Sequence, residues 1–334
     1  MPDPSSSSFP GRTAIATGAT VAGAYAGLSL AAWTYRQQLP PSFSLPPALD
    51  LDAHPFECPA GRSQYYARRG TGPPIVLLHS FNAVASSFEM KPIAEHLVAT
   101  TERPVYALDW LGFGRSSRGA LDYTPALYRQ QLYHFLTEAV DTPADLVALS
   151  LGGEYAAQVS LQAAPLVRRL VLLSPTGLSE SRGPSWPGRL GLTLAARTGI
   201  FELFYHRLTR RSSLRDFYAR QIFLNADAIP DELLDYAATT AGARGAHRAP
   251  LRFVDGTLFL DDIAESVYAR LYRPTLLLTP EAPASTVQSF EHLPALLNRN
   301  ARNFHHESLP GGLLSHWEAP APLFRSLGAF LNTD

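Results

Sequence analysis

Five short apolar runs, each closing on a turn or a helical stretch, constrain this chain more than anything else in it. They are "IVLLHS" (75–80), "PVYALD" (104–109), "LVALS" (146–150), "RLVLLSP" (169–175) and "RPTLLLTPE" (273–281). A continuous apolar run of roughly four to eight residues between turn signals marks a strand buried on both faces. Helical segments separate the first four: "SSFEMKPIAEHLVAT", then a helix opening at Thr124-Pro125, then residues 151–164. Thr124 suits an N-cap and Pro125 the first helical position, and Leu127, Leu132, Phe135, Leu136 and Ala139 fall mostly on one face. Strand and helix in alternation give βαβ units and hence a mostly parallel sheet. "QYYARRG", from Gln64, fits an outer antiparallel strand; a last strand is expected at 302–309 and a last helix from about His316.

The alternation stops at residues 179–265, which are helical, aromatic and rich in arginine ("FELFYHRLTRRSSLRDFYARQIF"). The expected organisation is therefore a core of 63–178 and 266–334 with a helical cap at 179–265 inserted in it. With 46% hydrophobic residues, 334 residues suffice for a sizeable core. A net charge of −1 excludes the strongly basic domain that nucleic acid would call for. Cys58 is the only cysteine, which excludes an intrachain disulfide and a CxxC site and suits a buried structural thiol.

Upstream, residues 37–62 are rich in proline and read as an extended linker. Within the N-terminal extension 1–36, Thr13–Tyr35 carries no charge over 23 residues between Arg12 and Arg36. As a helix it would span about 34 Å, enough for a bilayer core, with Trp33, Tyr35 and Arg36 as interfacial anchors. Three expectations stand for it: an uncleaved membrane anchor, a signal peptide cleaved near "SLAAW" that would release the chain as a secreted or periplasmic protein, or an amphitropic or disordered extension.

Ligands of a parallel sheet gather at the carboxyl ends of its strands, where Ser150, Asp109 and His79 are expected. Ala148-Leu149-Ser150-Leu151-Gly152 has the spacing of the G-x-S-x-G elbow, with alanine for the first glycine. Together "VLLHS", "ALDWLGFGRSSR" and "ALSLGGE" resemble the α/β-hydrolase superfamily, the second matching its D-x-x-G-x-G-x-S loop at Asp109, Gly112, Gly114 and Ser116. The resemblance covers roughly residues 62–332. It implies an α/β-hydrolase fold, a mostly parallel sheet flanked by helices with an inserted helical cap.

It also implies a catalytic set. Ser150 would be the nucleophile, the Leu151 and Phe81 N–H groups would hold the oxyanion, and His79 would be a structural loop histidine. The family's acid follows the strand at 274–278, where Pro283 stands at the expected aspartate and Glu281 is the nearest carboxylate. The family's histidine falls on Leu313, and His316, three residues on, is the displaced candidate base. Two functions follow: a serine hydrolase or acyltransferase on a hydrophobic ester or acyl substrate, or a non-catalytic member of the fold binding an apolar ligand or a membrane partner. No phosphate loop or dinucleotide fingerprint calls for a cofactor. His305-His306-Glu307 does not suggest a metal, since neighbours on a strand face opposite ways. In the cap, Arg207, Arg210, Arg211, Arg215 and Arg220 read as a solvated cationic face, or as a contact for anionic lipid headgroups. Phe201, Phe204, Tyr205, Phe217, Tyr218 and Phe223 read as cap core more than pocket, although a cap over the sheet would make the pocket apolar.

Overall fold

The computed structural model describes residues 27, 30, 33–179, 200–281 and 288–332, without the side chains of Ile200 and Leu203. Eight strands form one sheet: β1 (Asp52–Cys58), β2 (Gly61–Arg68), β3 (Ile75–Leu78), β4 (Val105–Asp109), β5 (Ala144–Leu149), β6 (Val167–Leu173), β7 (Thr275–Pro280) and β8 (Phe304–Leu309). Their order is β1-β2-β4-β3-β5-β6-β7-β8. β2 pairs antiparallel with both β1 and β4, and the remaining pairs are parallel.

Each apolar run feeds two cores because successive side chains leave a strand on opposite faces. On one face Leu77, Ala107, Val147, Leu149 and Val171 meet Ile93 and Leu97 of α1 (Lys91–Thr100). On the other Val76, Leu78, Leu146, Ala148 and Leu172 meet Tyr128 and Leu132 of α2 (Pro125–His134) and Tyr155 and Val159 of α3 (Gly152–Gln162). The expected cap of Thr124 is made, its hydroxyl accepting the Leu127 N–H at 3.3 Å. The C-terminal helix is split into α10 (Ser315–Glu318) and α11 (Pro320–Leu331), numbered after the cap helices and α9 (Leu293–Arg299).

The described part of the cap is helical: α4 (Ile200–Leu208), α5 (Arg211–Gln221), α6 (Asp231–Ala241), α7 (Arg248–Val254) and α8 (Ile263–Ser266). Residues 180–199 of the expected cap lie outside the described residues. So does most of Thr13–Tyr35, and among the described residues no helix is long and apolar enough to cross a membrane.

The reading of 37–62 as a linker is corrected. Its second half is β1, which completes the sheet edge despite Pro55, paired opposite Gln64. Proline cannot donate to a ladder but is tolerated on an edge strand, where one side needs no donors. Its first half is a strap fixed by side chains: the Tyr66 hydroxyl accepts the Ala48 N–H at 3.1 Å, and the Tyr236 hydroxyl donates to the Pro46 carbonyl at 3.0 Å. Leu45, Ala48 and Leu49 are buried under it.

Candidate active site

Ser150 follows β5 directly and precedes α3, with φ at +53°, in the left-handed region. A serine held there costs of order 1–3 kcal/mol, and such strain persists where the surrounding structure over-determines it. Two features fix it. The Ser150 N–H donates to the Leu173 carbonyl of β6 at 2.8 Å. Gly152 lets α3 come so close to the end of β3 that a Cβ there would stand 2.6 Å from the His79 carbonyl oxygen. Ala148, at the first glycine position of the motif, is fully buried.

The neighbouring loops are held by the residues that carried the resemblance. The Asp109 carboxylate accepts the N–H groups of Ser87 at 2.8 Å and Arg115 at 2.9 Å, and any side chain at Gly114 would run into it. The Ser116 hydroxyl donates to the Asp109 carbonyl at 2.6 Å and accepts the Gln64 N–H at 2.8 Å. His79 is fully buried; its Nε2 accepts the Trp110 N–H at 3.1 Å, so its Nδ1–H donates to the Ser80 carbonyl at 2.7 Å. Burial lowers its pKa to about 4, against the opposing pull of Asp109. His79 is thus a neutral loop brace.

Ser150 opens onto a cavity of about 210 Å³. Phe81, Leu149, Phe217, Ile222, Phe253, Leu313 and Leu314 make most of its wall apolar, and Ser80, Asn82, Glu89, Gln221 and Gln288 supply polar groups. Of the cap aromatics, exposed Phe217 and buried Tyr218 line the pocket, while Phe201, Tyr205 and Phe223 pack the cap and Phe204 is exposed. Among the described residues the N–H groups of Phe81 and Leu151 enter no hydrogen bond, and Phe81 shares the cavity with Ser150.

Two residues at this cavity were not singled out from the sequence. Gln288 donates its amide Nε2–H to Ser150 Oγ at 2.7 Å, while its Oε1 is buried with no partner. Glu89 lies in a 3₁₀ turn (Ser87–Met90), where it is buried and accepts the Ser80 N–H at 3.0 Å and the Asn82 amide at 2.7 Å. Burial raises its pKa, against those hydrogen bonds.

The expected relay from Glu281 through His316 to Ser150 is not formed among the described residues. Glu281 is exposed, and among the described residues only its backbone N–H is engaged, with the Leu309 carbonyl at 2.9 Å. His316 is fully buried in α10, its Nε2–H donated to the Glu89 carbonyl at 2.7 Å and its Nδ1 without a partner. Burial lowers its pKa to about 4, the Glu89 bond opposing. Neither residue lines the cavity, whereas Leu313, where the family's histidine falls, does. The reason is local. Leu313 is held by its N–H on the Ile222 carbonyl and its own carbonyl under the Ser174 hydroxyl, so the helix that begins two residues later carries His316 behind the wall.

Glu154, in the first turn of α3, ties the elbow helix to the cap. Its carboxylate accepts the Thr176 hydroxyl at 2.5 Å and the Leu260 N–H at 3.0 Å. Burial raises its pKa to about 7, these two bonds opposing. The folded state then holds the proton more tightly than the unfolded chain, so stability from this group is fully present below about pH 4.5 and is lost as pH rises toward 7. Every tenfold tighter hold on the proton in the folded state corresponds to about 1.4 kcal/mol. Urea unfolding from pH 4 to 8 is expected to show that slope, and Glu154→Gln to flatten it; an unchanged slope in the variant would assign it elsewhere.

Residues 75–326, about three-quarters of the chain, match the sequence profile of the Alpha/beta hydrolase family. Among curated proteins the chain resembles the rat 1-acylglycerol-3-phosphate O-acyltransferase ABHD5, 37% identical over 112 residues, 32% of this chain and 30% of that one. It also resembles the 2-hydroxy-6-oxo-6-(2'-aminophenyl)hexa-2,4-dienoic acid hydrolase of Metapseudomonas resinovorans, 32% identical over 114 residues, 34% of this chain and 39% of that one. The match thus spans about a third of the length of these relatives. Among solved structures, a serine hydrolase involved in carbazole degradation superposes with a TM-score of 0.63 at 20% identity, covering 84% of this chain and 98% of that one. A probable hydrolytic enzyme of Pseudomonas aeruginosa PAO1 gives 0.67 at 19%, covering 89% and 100%. The elbow at Ser150, the Asp109 loop, the sheet order and the matching profile agree, and by them this chain belongs to the alpha/beta hydrolase family.

Proposed function

We propose that this chain is a serine hydrolase or acyltransferase acting on a hydrophobic ester or acyl substrate, with Ser150 as its nucleophile. The observation that carries this is Ser150 itself, held at positive φ at the head of a helix with its hydroxyl at a largely apolar cavity. The acyl chain would lie along Phe81, Phe217, Leu313 and Leu314. Attack by Ser150 Oγ on the acyl carbonyl breaks its C=O π bond and leaves an oxyanion, held by the N–H groups of Phe81 and Leu151. Collapse expels the alkoxide, which takes up the proton that the base drew from Ser150 Oγ and leaves as the alcohol, and the acyl-serine that remains is resolved by water or an acceptor alcohol.

Serine needs a proton acceptor for this at neutral pH, and Gln288 offers only an amide. In this reading His316 serves as base only after its Nε2–H leaves the Glu89 carbonyl, and Glu281 supports it only after leaving solvent. The native chain is therefore a slow acyl-transfer enzyme. The Gln288–Ser150 bond favours a second reading, a non-catalytic protein that binds an apolar ligand in the same cavity.

Labelling of the full chain by a fluorophosphonate separates the two. Slow labelling that disappears in Ser150→Ala is the expected result, and its loss in His316→Ala as well would make that histidine the base. A folded chain that takes up no label at all would overturn the enzyme reading in favour of ligand binding.

A further inference from the structure

The strap that replaces the expected linker has a consequence for where the cavity opens. Arg36 forms an ion pair with Glu202 of α4, whose side chain is 1% exposed, and the Tyr35 ring meets His206 edge-on at 5.3 Å. Arg244 donates to the carbonyls of Arg36 at 3.0 Å, Gln37 at 3.3 Å and Leu39 at 3.2 Å, and its N–H to that of Pro40 at 2.8 Å. The chain at Tyr35 and Arg36 is therefore fixed against the cap. What precedes it in sequence is the uncharged stretch from Thr13.

The cap next to that attachment is apolar where it meets solvent. Leu30 and Trp33, just ahead of the strap, are 62% and 55% exposed; Phe204 and Leu208, four apart on α4, are 53% and 51% exposed. Exposed Phe217 also lines the cavity, and exposed Leu224 follows the cavity residue Ile222 by two positions. Single exposed apolar residues are ordinary; several on adjoining elements beside a cavity mark an interaction site. The charge beside them is positive on balance, exposed Asp216 and Asp227 standing among the arginines. Arg211 and Arg215 are neutralised by Asp231 and Asp235 of α6, but Arg207, Arg210 and Arg220 are exposed and make no ion pair among the described residues. Of the five arginines expected to form a cationic face, these three remain to meet anions.

We propose that this cap face, with Leu30, Trp33, Phe204, Leu208 and Leu224 inward and Arg207, Arg210 and Arg220 at its rim, rests on the surface of an anionic lipid bilayer. The cavity beside Ser150 then takes its acyl chain from that surface past Phe217, a step that rests on the function proposed above. Apolar side chains under a ring of basic ones are the composition of an interfacial contact.

The test uses the full chain with Cys58→Ser and a nitrobenzoxadiazole fluorophore attached through Leu208→Cys, mixed with phosphatidylglycerol–phosphatidylcholine vesicles. The expected result is flotation with the vesicles and a several-fold rise in emission with a blue shift, weaker with phosphatidylcholine alone. A fluorophore at Glu102→Cys, exposed just before β4 at the opposite end of the sheet, should not respond. Flotation without a change at Leu208→Cys would confine binding to the residues before Trp33 and overturn the proposal, as would absence of flotation. A fluorophore already shielded without vesicles, on a chain sedimenting as a dimer, would assign the face to a second copy and overturn it too. Labelling of Ser150 by a soluble fluorophosphonate reads the enzyme function separately, so either conclusion can fail without the other.

Discussion

Replacing Gln288 by histidine is expected to speed the labelling of Ser150 by a fluorophosphonate by about a hundred- to ten-thousand-fold, the range that a positioned general base contributes. Gln288 Nε2 already lies 2.7 Å from Ser150 Oγ. The imidazole Nε2 is three bonds from Cβ, as the amide nitrogen is, so it reaches the same place. The lone pair of an amide nitrogen is delocalised into its carbonyl and does not take the proton; a neutral imidazole has an in-plane pair that does. The surroundings favour the neutral form, since Gln288 is 4% exposed in an apolar wall and burial disfavours imidazolium. Leu313→His, at the position of the family's histidine, is a second route to the same cavity. Ser150→Ala in the Gln288→His background must abolish the gain. A folded Gln288→His protein that labels no faster than the parent would mean that the amide is not what withholds reactivity from Ser150.

The sheet was legible because burial on both faces forces a continuous apolar run, and the runs ending at Leu78, Asp109, Leu149 and Leu173 are the strands at the site. The elbow was legible for a steric reason, the close approach that leaves no room for a Cβ at Gly152. β1 was hidden by Pro55, a residue that argues against a strand except at an edge, and only the assembled sheet shows that this is one. Gln288 and Glu89 were illegible because their roles are tertiary. Glu89 sits between Phe88 and Met90, both buried, so no periodicity marks it as the acceptor for the Ser80 N–H. Gln288 follows β7 by eight residues and meets Ser150 from 138 residues away. His316 could be placed three residues past the family position from sequence; that this puts it behind the cavity wall, on the Glu89 carbonyl, depends on how Leu313 is held.

Gly152→Ala is expected to cost both reactivity and stability, while Gly153→Ala, one residue on, costs neither. A Cβ on Gly152 would stand 2.6 Å from the His79 carbonyl oxygen, a backbone atom fixed in turn by the Trp110 indole N–H at 3.0 Å. Neither side can yield locally, so α3 must move away from the end of β3 and carry the Ser150 elbow and the Leu151 N–H with it. Overpacking of this kind costs about 1–3 kcal/mol, and a reacting atom misplaced by about 1 Å loses about a hundredfold in rate. At Gly153 the added Cβ would meet Leu172 Cδ2 at 3.1 Å, the end of a flexible side chain that can turn aside. Both changes improve helix propensity equally, so the difference between them isolates the contact with His79. Urea unfolding of the two variants reads the stability difference, and fluorophosphonate labelling in the Gln288→His background reads the elbow. Gly152→Ala labelling as fast as its parent would show that the position of Ser150 does not depend on this approach, and the strained φ at Ser150 would then be held by its N–H bond to Leu173 alone.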